Sequence, residues 1–167
     1  VYGVIKDHNG YVDVRSEIDR GSDFIVYLPV VGFGSSEEEK AVVDIRGSEK
    51  ILVVDDVEEQ RELAATILSS LGYHVDVAGD GRTAVEHLKD NSADVVVLDM
   101  IMEDDFDGLD TYREIIKRRP GQKAIIASGF SETDRVKEAE ELGVGKYIRK
   151  PYNMQILGKA IREVLTI

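Results

Sequence analysis

A chain of 167 residues with 43% hydrophobic content can build one well-packed domain of ordinary size and a smaller appendage, but not a second full domain. Its 33 acidic residues outnumber its 21 basic ones, and the net charge of -12 argues against direct binding to nucleic-acid phosphates, so its partners should be proteins or cations. It has no cysteine, no apolar run long enough to cross a membrane and no signal-peptide pattern, and we therefore expect a soluble, cytoplasmic chain without membrane contact.

Residues 1–31 carry the alternating pattern of a β-hairpin. Apolar and polar residues alternate on both sides of an Asp-Arg-Gly-Ser turn at residues 19–22. The alternating apolar residues are Val12, Val14, Phe24, Val26 and Leu28. The next residues, 32–48, combine glycine and serine with a run of charges, which is typical of a flexible linker. We therefore predict three parts, namely a hairpin segment at 1–31, a linker at 32–48 and a domain at 49–167.

From residue 49 onward, short β-branched runs alternate with helical patterns, which indicates βαβ units around a parallel sheet. The predicted strands are 51–55, 74–78, 95–99, 123–128 and 146–149. The runs 51–54 and 95–98 are continuously apolar, as expected for central strands that are covered on both faces. The alternation predicts an α/β fold of the doubly wound type.

The helical patterns lie between these strands. In the first helix, Leu63, Ile67 and Leu71 recur at four-residue spacing with Leu68 beside them, which predicts one apolar stripe facing the core. Gly72 should end this helix. The other predicted helices cover 81–89, 108–118, 132–142 and 153–165.

Three acidic residues fall at the carboxyl ends of two predicted strands, the edge at which open parallel sheets bind ligands. Asp55 and Asp56 close the first strand of the sheet, and Asp99 closes the third. If these strands are neighbours, the carboxylates meet, and two like charges about 4 Å apart repel by about 4 kcal/mol at an effective dielectric near 20. Such a cluster needs a cation, and oxygen ligands alone select a hard ion such as Mg²⁺.

An alternative is that Asp55 and Asp56 merely cap the first helix, with Glu59 three residues after Asp56 as in a capping box, and that Asp99 is a surface residue at a strand end. The remaining spacing favours chemistry, because Ser128 ends the fourth strand and Lys150 follows the fifth. A carboxylate nucleophile, a cation site, a hydroxyl donor and an ammonium group are the parts that phosphoryl transfer requires.

Four segments resemble the receiver domain of bacterial response regulators and hybrid sensor kinases, and they occur in the same order and at similar spacings. They are ILVVDD at 51–56, VLDMIM at 97–102, Ser-Gly at 128–129 and YIRKP at 147–151. The resemblance extends from about residue 50 to the end of the chain. It implies a flavodoxin-like (βα)5 fold with a central parallel sheet of strand order 2-1-3-4-5.

The resemblance also implies the chemical roles of the site. Asp99 is then the phosphoacceptor. Mg²⁺ is bound by Asp56, by Asp99 and by the backbone carbonyl of Ile101, while Asp55 helps through water. Lys150 contacts the phosphoryl oxygens.

Two further roles concern switching and water access. By the same resemblance, Ser128 hydrogen-bonds the phosphoryl group, and Tyr147 is the rotameric switch that follows Ser128 inward. The alternative for Tyr147 is an ordinary half-buried aromatic residue of a strand.

Ile101 and Phe130 lie two positions after Asp99 and Ser128, respectively. In this fold their apolar side chains would point over the acceptor and offer no group to orient an attacking water, so we expect slow hydrolysis of the phosphorylated form.

One loop departs from the family pattern. Glu103 stands where these domains usually have proline, and Asp107-Gly108 lie one residue further on than usual. The loop at 103–106 is therefore expected to be longer and more acidic than in its relatives.

Residues 1–31 resemble a different piece, the last part of the ATP-binding domain of a histidine kinase. The resemblance rests on VYGVIK at 1–6, HNGY at 8–11, GSDF at 21–24 and Leu-Pro at 28–29. No asparagine-rich nucleotide box and no helix with a phosphorylatable histidine accompany it. The chain should therefore lack the kinase active site and catalyse only its own phosphorylation and dephosphorylation.

Together, the two resemblances imply the C-terminal part of a hybrid sensor histidine kinase. Its phosphodonor would be a histidine kinase or a histidine phosphotransfer domain, and dimerisation stays open. His8, His74 and His87 are interpreted as ordinary loop, strand and helix residues.

Other functions fit the same scaffold less well. A flavodoxin-like redox protein needs a loop rich in glycine, serine or threonine after the first strand, whereas residues 55–59 are acidic. A docking module without phosphorylation would not need the full set of chemical residues. An aspartyl-phosphate hydrolase would need an acid two residues after Asp99, where Ile101 stands.

Overall fold

The computed structural model describes most of the chain and divides it into two compact units, Val1–Ala41 and Val42–Ile167. The described residues are 5, 10–17, 21–29, 44–102, 106–129 and 134–166, without the side chains of 134 and 136. His8, residues 32–43 of the predicted linker, residues 103–105 of the acidic loop and Phe130 lie outside this set.

The first unit contains the predicted hairpin. Strand β1 (Tyr11–Glu17) pairs antiparallel with β2 (Gly21–Tyr27). Tyr11 lies opposite Tyr27, with ring centroids 6.1 Å apart. The alternating apolar residues fall on one face of this ribbon, because Val12 pairs with Val26 and Val14 with Phe24.

The second unit is a five-stranded parallel sheet with helices between the strands. The strands are β3 (Lys50–Val54), β4 (His74–Ala78), β5 (Val95–Asp99), β6 (Lys123–Ser128) and β7 (Lys146–Arg149). They are ordered β4-β3-β5-β6-β7, so the predicted order 2-1-3-4-5 is confirmed. The direction in which successive strands are added reverses at β3, because β4 lies on one side of β3 and β5 lies on the other.

Helices connect these strands in strict alternation. They are α1 (Glu58–Ser70), α2 (Gly81–Asp90), α3 (Gly108–Arg118), α4 (Asp134–Glu141) and α5 (Met154–Thr166). Gly72, two residues after α1, has a φ of 98°, a conformation that glycine adopts readily and that ends the helix as expected. Among the described residues, no helix has the length and apolar character that spanning a bilayer requires.

The continuous apolar runs in the central strands are explained by burial on both faces of the sheet. One face packs against α2, α3 and α4, through Leu52, Val54, Val96, Leu98, Leu88, Leu109, Tyr112, Ile115 and Ala139. The other face packs against α1 and α5, through Ile51, Val53, Val95, Val97, Ala64, Leu68, Leu157 and Ile161. This double burial fixes the level at which each strand ends.

The buried face of α1 differs from the predicted one. Leu63 was expected in the core, but it is 55% exposed, and Ile67 is only partly buried. Ala64 and Leu68 are the buried residues of this helix. The small side chain of Ala64 allows the helix to approach the sheet, and Leu68 one turn later lies under the same face. The helix is therefore rotated so that Leu63 points outward.

The chain that leads into β3 packs against the same unit. The hydroxyl of Tyr73 donates to the carbonyl oxygen of Ile45 at 3.0 Å, and the backbone N–H of Gly47 donates to Leu71 at 3.1 Å. Arg162 of α5 contacts the carboxylate of Glu49 at 2.7 Å. Residues 44–48, the end of the predicted linker, thus lie against α1 and α5.

We predict that the two leucines of α1 differ sharply in their contribution to stability. Leu68→Ala should lower the free energy of unfolding by about 2–5 kcal/mol, because it leaves a cavity in a fully packed core. Leu63→Ala should change it by no more than about 0.5 kcal/mol, because the side chain is largely solvated. Urea denaturation of both variants measures the difference. Equal losses would mean that α1 is rotated differently from what is described.

Candidate functional site

Three carboxylates meet at the carboxyl edge of the sheet. Because β3 pairs with β5 and Val54 lies opposite Leu98, the residues that follow them reach the same level. Asp55, Asp56 and Asp99 each offer one carboxylate oxygen, and these oxygens all lie within 4.8 Å of one another. Asp55 is 3% exposed and Asp99 8%, whereas Asp56 is partly exposed.

Four contacts from different parts of the fold hold Asp55 in place. Its backbone N–H donates to Ala78 at 3.3 Å, and its carbonyl oxygen accepts from Arg61 at 2.6 Å. Its Oδ1 accepts from the N–H of Val57 at 3.0 Å, and its Oδ2 contacts the ammonium of Lys150. The N-cap of α1 is Val57, whose side chain makes no capping hydrogen bond, so Asp56 lies one residue before the N-cap position that the alternative interpretation gave it.

Lys150 supplies the positive charge of the site. Its Nζ lies 2.6 Å from Oδ2 of Asp55 and 3.1 Å from Oδ2 of Asp99. The backbone N–H of Lys150 donates to the carbonyl oxygen of Ser128 at 2.8 Å, so the end of β6 fixes where the lysine leaves the sheet. The ammonium is only slightly exposed and bridges two nearly buried carboxylates.

Asp99 lies in an environment that opposes its charge. Burial raises the pKa of Asp99, and the negative charge of Asp55 adds to the rise. The ammonium of Lys150 and the backbone N–H of Ile101, which donates to Oδ1 at 3.4 Å, act in the opposite direction. The ionised form of Asp99 therefore depends on nearby positive charge.

The chain after Asp99 passes close to the start of α3, and a glycine makes this possible. The N–H of Met100 donates to Ala127 at 3.0 Å, and the N–H of Gly108 donates to Met100 at 3.2 Å. A Cβ on Gly108 would lie 2.2 Å from the carbonyl oxygen of Asp99, a distance that no side chain tolerates. Gly108 thus lets the start of α3 lie directly behind Asp99.

The other predicted site residues lie around this cluster. Ser128 is buried at the end of β6, beside the strand that carries Tyr147, and Tyr147 is half-buried against the core on the α2–α4 side. The side chain of Ile101 is 53% exposed. The prediction for Phe130 falls outside the described residues.

A cavity of about 610 Å³ opens beside the cluster. Asp99 and Lys150 lie on its wall, and Val57, Leu63 and Ile101 are exposed apolar residues that also line it. Leu63, whose exposure was not expected from the sequence, therefore belongs to the wall of this cavity.

Tyr152 lines the same cavity and was missed by the sequence analysis. Its ring packs partly buried against the cluster that underlies α1 and α5. Burial, together with the negative charges of Asp55 and Asp99, raises the pKa of Tyr152 to about 12. The signal in the sequence was its place directly after Lys150-Pro151, at the edge of the sheet where the parallel strands end.

The arrangement suits a divalent cation. Three carboxylates face one ammonium, so negative charge is in excess at this edge. The donor atoms are all oxygens, which fits the preference of Mg²⁺.

Comparisons with known proteins agree with this geometry. Residues 51–162 match the family model described as the response regulator receiver domain. The sequence is 30% identical to the sensor kinase CckA of Brucella abortus, over 99% of this chain and 19% of the kinase. It is 33% identical to the chemotaxis protein CheY of Thermotoga maritima, over 69% of this chain and 96% of that protein. The chain thus spans about a fifth of the kinase but nearly all of the chemotaxis protein.

Solved structures give the same result. A CheY-like receiver domain protein from Methanospirillum hungatei superposes with a TM-score of 0.67 at 26% identity, covering 72% of this chain and 95% of that one. A response regulator receiver domain protein from Clostridium thermocellum superposes with a TM-score of 0.66 at 32% identity, covering 71% of this chain and 94% of that one.

We predict that Asp99→Asn stabilises the metal-free protein at neutral pH by about 1 kcal/mol, the usual scale of single substitutions. The folded state binds the Asp99 proton more tightly than the unfolded chain does, so ionisation costs stability as the pH rises, and the cost is complete above the folded pKa. The gain should vanish as the pH falls below the ordinary carboxyl range, where Asp99 is protonated in both states. Urea denaturation in EDTA across pH measures this.

The matched control is Asp90→Asn, because Asp90 is an exposed residue at the end of α2. It should leave the stability unchanged. A loss of stability in Asp99→Asn at neutral pH would contradict the described electrostatics.

Proposed function

This chain belongs to the response regulator receiver family, and we propose that it acts in a two-component phosphorelay by accepting a phosphoryl group from phosphohistidine onto Asp99. The observation that carries the proposal is the ammonium of Lys150 lying between Asp55 and Asp99 within a cluster of three carboxylates. A nucleophile, a cationic group and a cation site are thereby assembled before any donor arrives.

Asp99 is the nucleophile in this proposal. One of its carboxylate oxygens forms the new P–O bond while the P–N bond of phosphohistidine breaks, and the electron pair of the broken bond stays with the imidazole nitrogen. Because an ionised carboxylate carries no proton, the attack needs no general base. Lys150 lowers the pKa of Asp99 against the effect of burial and so favours the ionised form.

After transfer, Lys150 and Ser128 contact the phosphoryl group, and Tyr147 responds to the movement of Ser128. Lys150 turns its ammonium from the carboxylates to the phosphoryl oxygens. The hydroxyl of Ser128, at the end of the neighbouring strand, hydrogen-bonds the same group. Tyr147 then changes rotamer and follows Ser128 inward, which passes the signal to the α2–α4 side of the sheet.

Mg²⁺ fits the residues of the site. Asp56 and Asp99 would hold it together with the backbone carbonyl of Ile101, while Asp55 helps through water. When bound, the ion supplies positive charge that neutralises the phosphoryl oxygens.

Water access sets the lifetime of the phosphorylated form. The side chain of Ile101 lines the cavity beside Asp99 and offers no hydrogen-bonding group to an attacking water. Slow hydrolysis follows from this position. Phe130 has the same role in the proposal, although it lies outside the described residues.

The phosphodonor is a histidine kinase or a histidine phosphotransfer domain. Val57, Leu63 and Ile101 are largely solvent-exposed apolar residues around the opening to Asp99. An apolar rim around a polar centre suits a protein donor that buries this rim while it presents its phosphohistidine.

We also propose that the chain is the C-terminal part of a hybrid sensor histidine kinase. The similarity to the sensor kinase CckA supports this, because it covers 99% of the chain and so includes residues before the receiver. In this proposal 1–31 are the end of a kinase ATP-binding domain, 32–48 are a linker and 49–167 are the receiver. In this proposal the protein works in the cytoplasm.

We predict that phosphoramidate labels the wild-type chain in the presence of Mg²⁺ and that Asp99→Asn reduces the labelling to background. An amide is nearly the same shape as a carboxylate but is a poor nucleophile. Phosphate-affinity electrophoresis measures the labelled fraction, and EDTA should abolish it.

Asp90→Asn serves as the matched control and should be labelled like the wild type. Labelling of Asp99→Asn to the wild-type level would reject Asp99 as the acceptor. Labelling of the wild type that is unaffected by EDTA would reject the role of Mg²⁺.

A further inference from the structure

The guanidinium of Arg61 takes no part in the chemistry described above, although it touches the backbone of the carboxylate cluster. The side chain runs from the first turn of α1 back toward β3, and its Nη1 donates to the carbonyl oxygen of Asp55 at 2.6 Å. Arg61 is partly buried, and its Nη1 lies 3.5 Å from the position that a Cβ on Gly79 would occupy. The guanidinium therefore lies between the residues that follow β3 and those that follow β4.

The carbonyl oxygen of Asp55 needs a donor from outside the helix pattern. In α1 the carbonyl oxygen of the N-cap, Val57, accepts from the N–H of Arg61 at 3.0 Å, and Asp55 lies two residues before it. Asp55 is 3% exposed, and a buried carbonyl without a donor is unfavourable. The guanidinium supplies this donor, and its charge makes the bond stronger than one between two neutral groups.

This hydrogen bond fixes the orientation of a whole peptide unit. The carbonyl of Asp55 belongs to the planar unit that also contains the N–H and the Cα of Asp56. The N–H of Asp55 is held by Ala78 at 3.3 Å, so the start of the turn is already tied to β4. The rotation of the next peptide plane then decides where the Cα of Asp56 lies and in which direction its carboxylate leaves the chain.

This direction matters because Asp56 is the least enclosed member of the cluster. Asp55 and Asp99 are nearly buried and contact the ammonium of Lys150, whereas Asp56 is partly exposed. One ion can be served by all three carboxylates only while their oxygens stay near one another, and the structure places them within 4.8 Å. The peptide that precedes Asp56 therefore controls whether its carboxylate stays at the cation site.

We propose that Arg61 is a positioning residue that orients the peptide between Asp55 and Asp56 and thereby holds the Asp56 carboxylate at the cation site. The inference rests on the proposed phosphoacceptor function and adds to it a residue that is not itself a ligand. The charge of the guanidinium would by itself weaken cation binding, because like charges repel. Positioning and charge thus have opposite effects on cation affinity, and removal of the guanidinium distinguishes them.

Arg61→Met in the full chain removes the guanidinium and keeps an unbranched apolar stem. We expect the affinity for Mg²⁺ to fall about tenfold, as is common when a group that orients a metal ligand is lost. The Mg²⁺ concentration for half-maximal labelling by phosphoramidate should rise by the same factor, whereas labelling at saturating Mg²⁺ should reach the wild-type level. Amide NMR titrations and phosphate-affinity electrophoresis measure the two quantities.

Arg119→Met is the matched control. Arg119 is also partly buried, and it donates to the carbonyl oxygen of Asn91 at 2.6 Å, but it lies near the amino ends of β5 and β6. Its substitution should leave Mg²⁺ affinity and labelling unchanged. Arg61→Lys keeps the charge and one donor without the planar guanidinium, so its Mg²⁺ affinity should fall between those of the wild type and Arg61→Met.

An unchanged Mg²⁺ affinity in Arg61→Met would overturn the proposal, and so would a raised affinity, which would show that the guanidinium acts through its charge alone. A merely structural role would lower the melting temperature and leave the Mg²⁺ affinity of the folded protein unchanged. If Arg61→Met does not fold, wild-type Mg²⁺ affinity in Arg61→Lys would overturn the proposal. A wild type that binds no Mg²⁺ would instead overturn the cation site of the proposed function.

Discussion

The site depends on one pair of ionic contacts, in which the ammonium of Lys150 is shared by the carboxylates of Asp55 and Asp99. The three groups come from the ends of three different strands, and they meet because β3 lies beside β5, β5 beside β6 and β6 beside β7. The backbone bond from Lys150 to Ser128 sets the height at which the lysine leaves the sheet. The strand order is therefore a requirement of the chemistry.

The core makes this concentration of charge tolerable. Like charges held close together in a poorly solvated edge oppose folding, and the raised pKa of Asp99 reflects this cost. Burial of the central strands on both faces offsets it, and Gly108 removes the Cβ that would collide with Asp99. A cluster of like charges is suited to bind a cation, because the positive charge relieves the repulsion.

Much of this could be predicted from the sequence. Four strands, β4 to β7, begin and end at the predicted residues, because apolar runs buried on both faces are bounded sharply by polar residues. The rotation of α1 could not be predicted, since Leu63 and Ala64 fit a helical stripe equally well and only packing on the sheet chooses between them. Tyr152 was missed for a related reason. Its place on the cavity wall beside Asp99 and Lys150 arises from the path of a connection between two elements, which periodicity does not encode.

The central claim is that Asp99 carries the phosphoryl group, and trapping the acyl phosphate tests it most directly. Sodium borohydride reduces an aspartyl phosphate to homoserine, and peptide mass spectrometry locates the reduced residue in the chain after phosphorylation with phosphoramidate and Mg²⁺. We expect reduction at Asp99 and at no other carboxylate. Reduction at Asp55 or Asp56, an acid-stable phosphate on Ser128, or an acid-labile, alkali-stable phosphate on a histidine would contradict it.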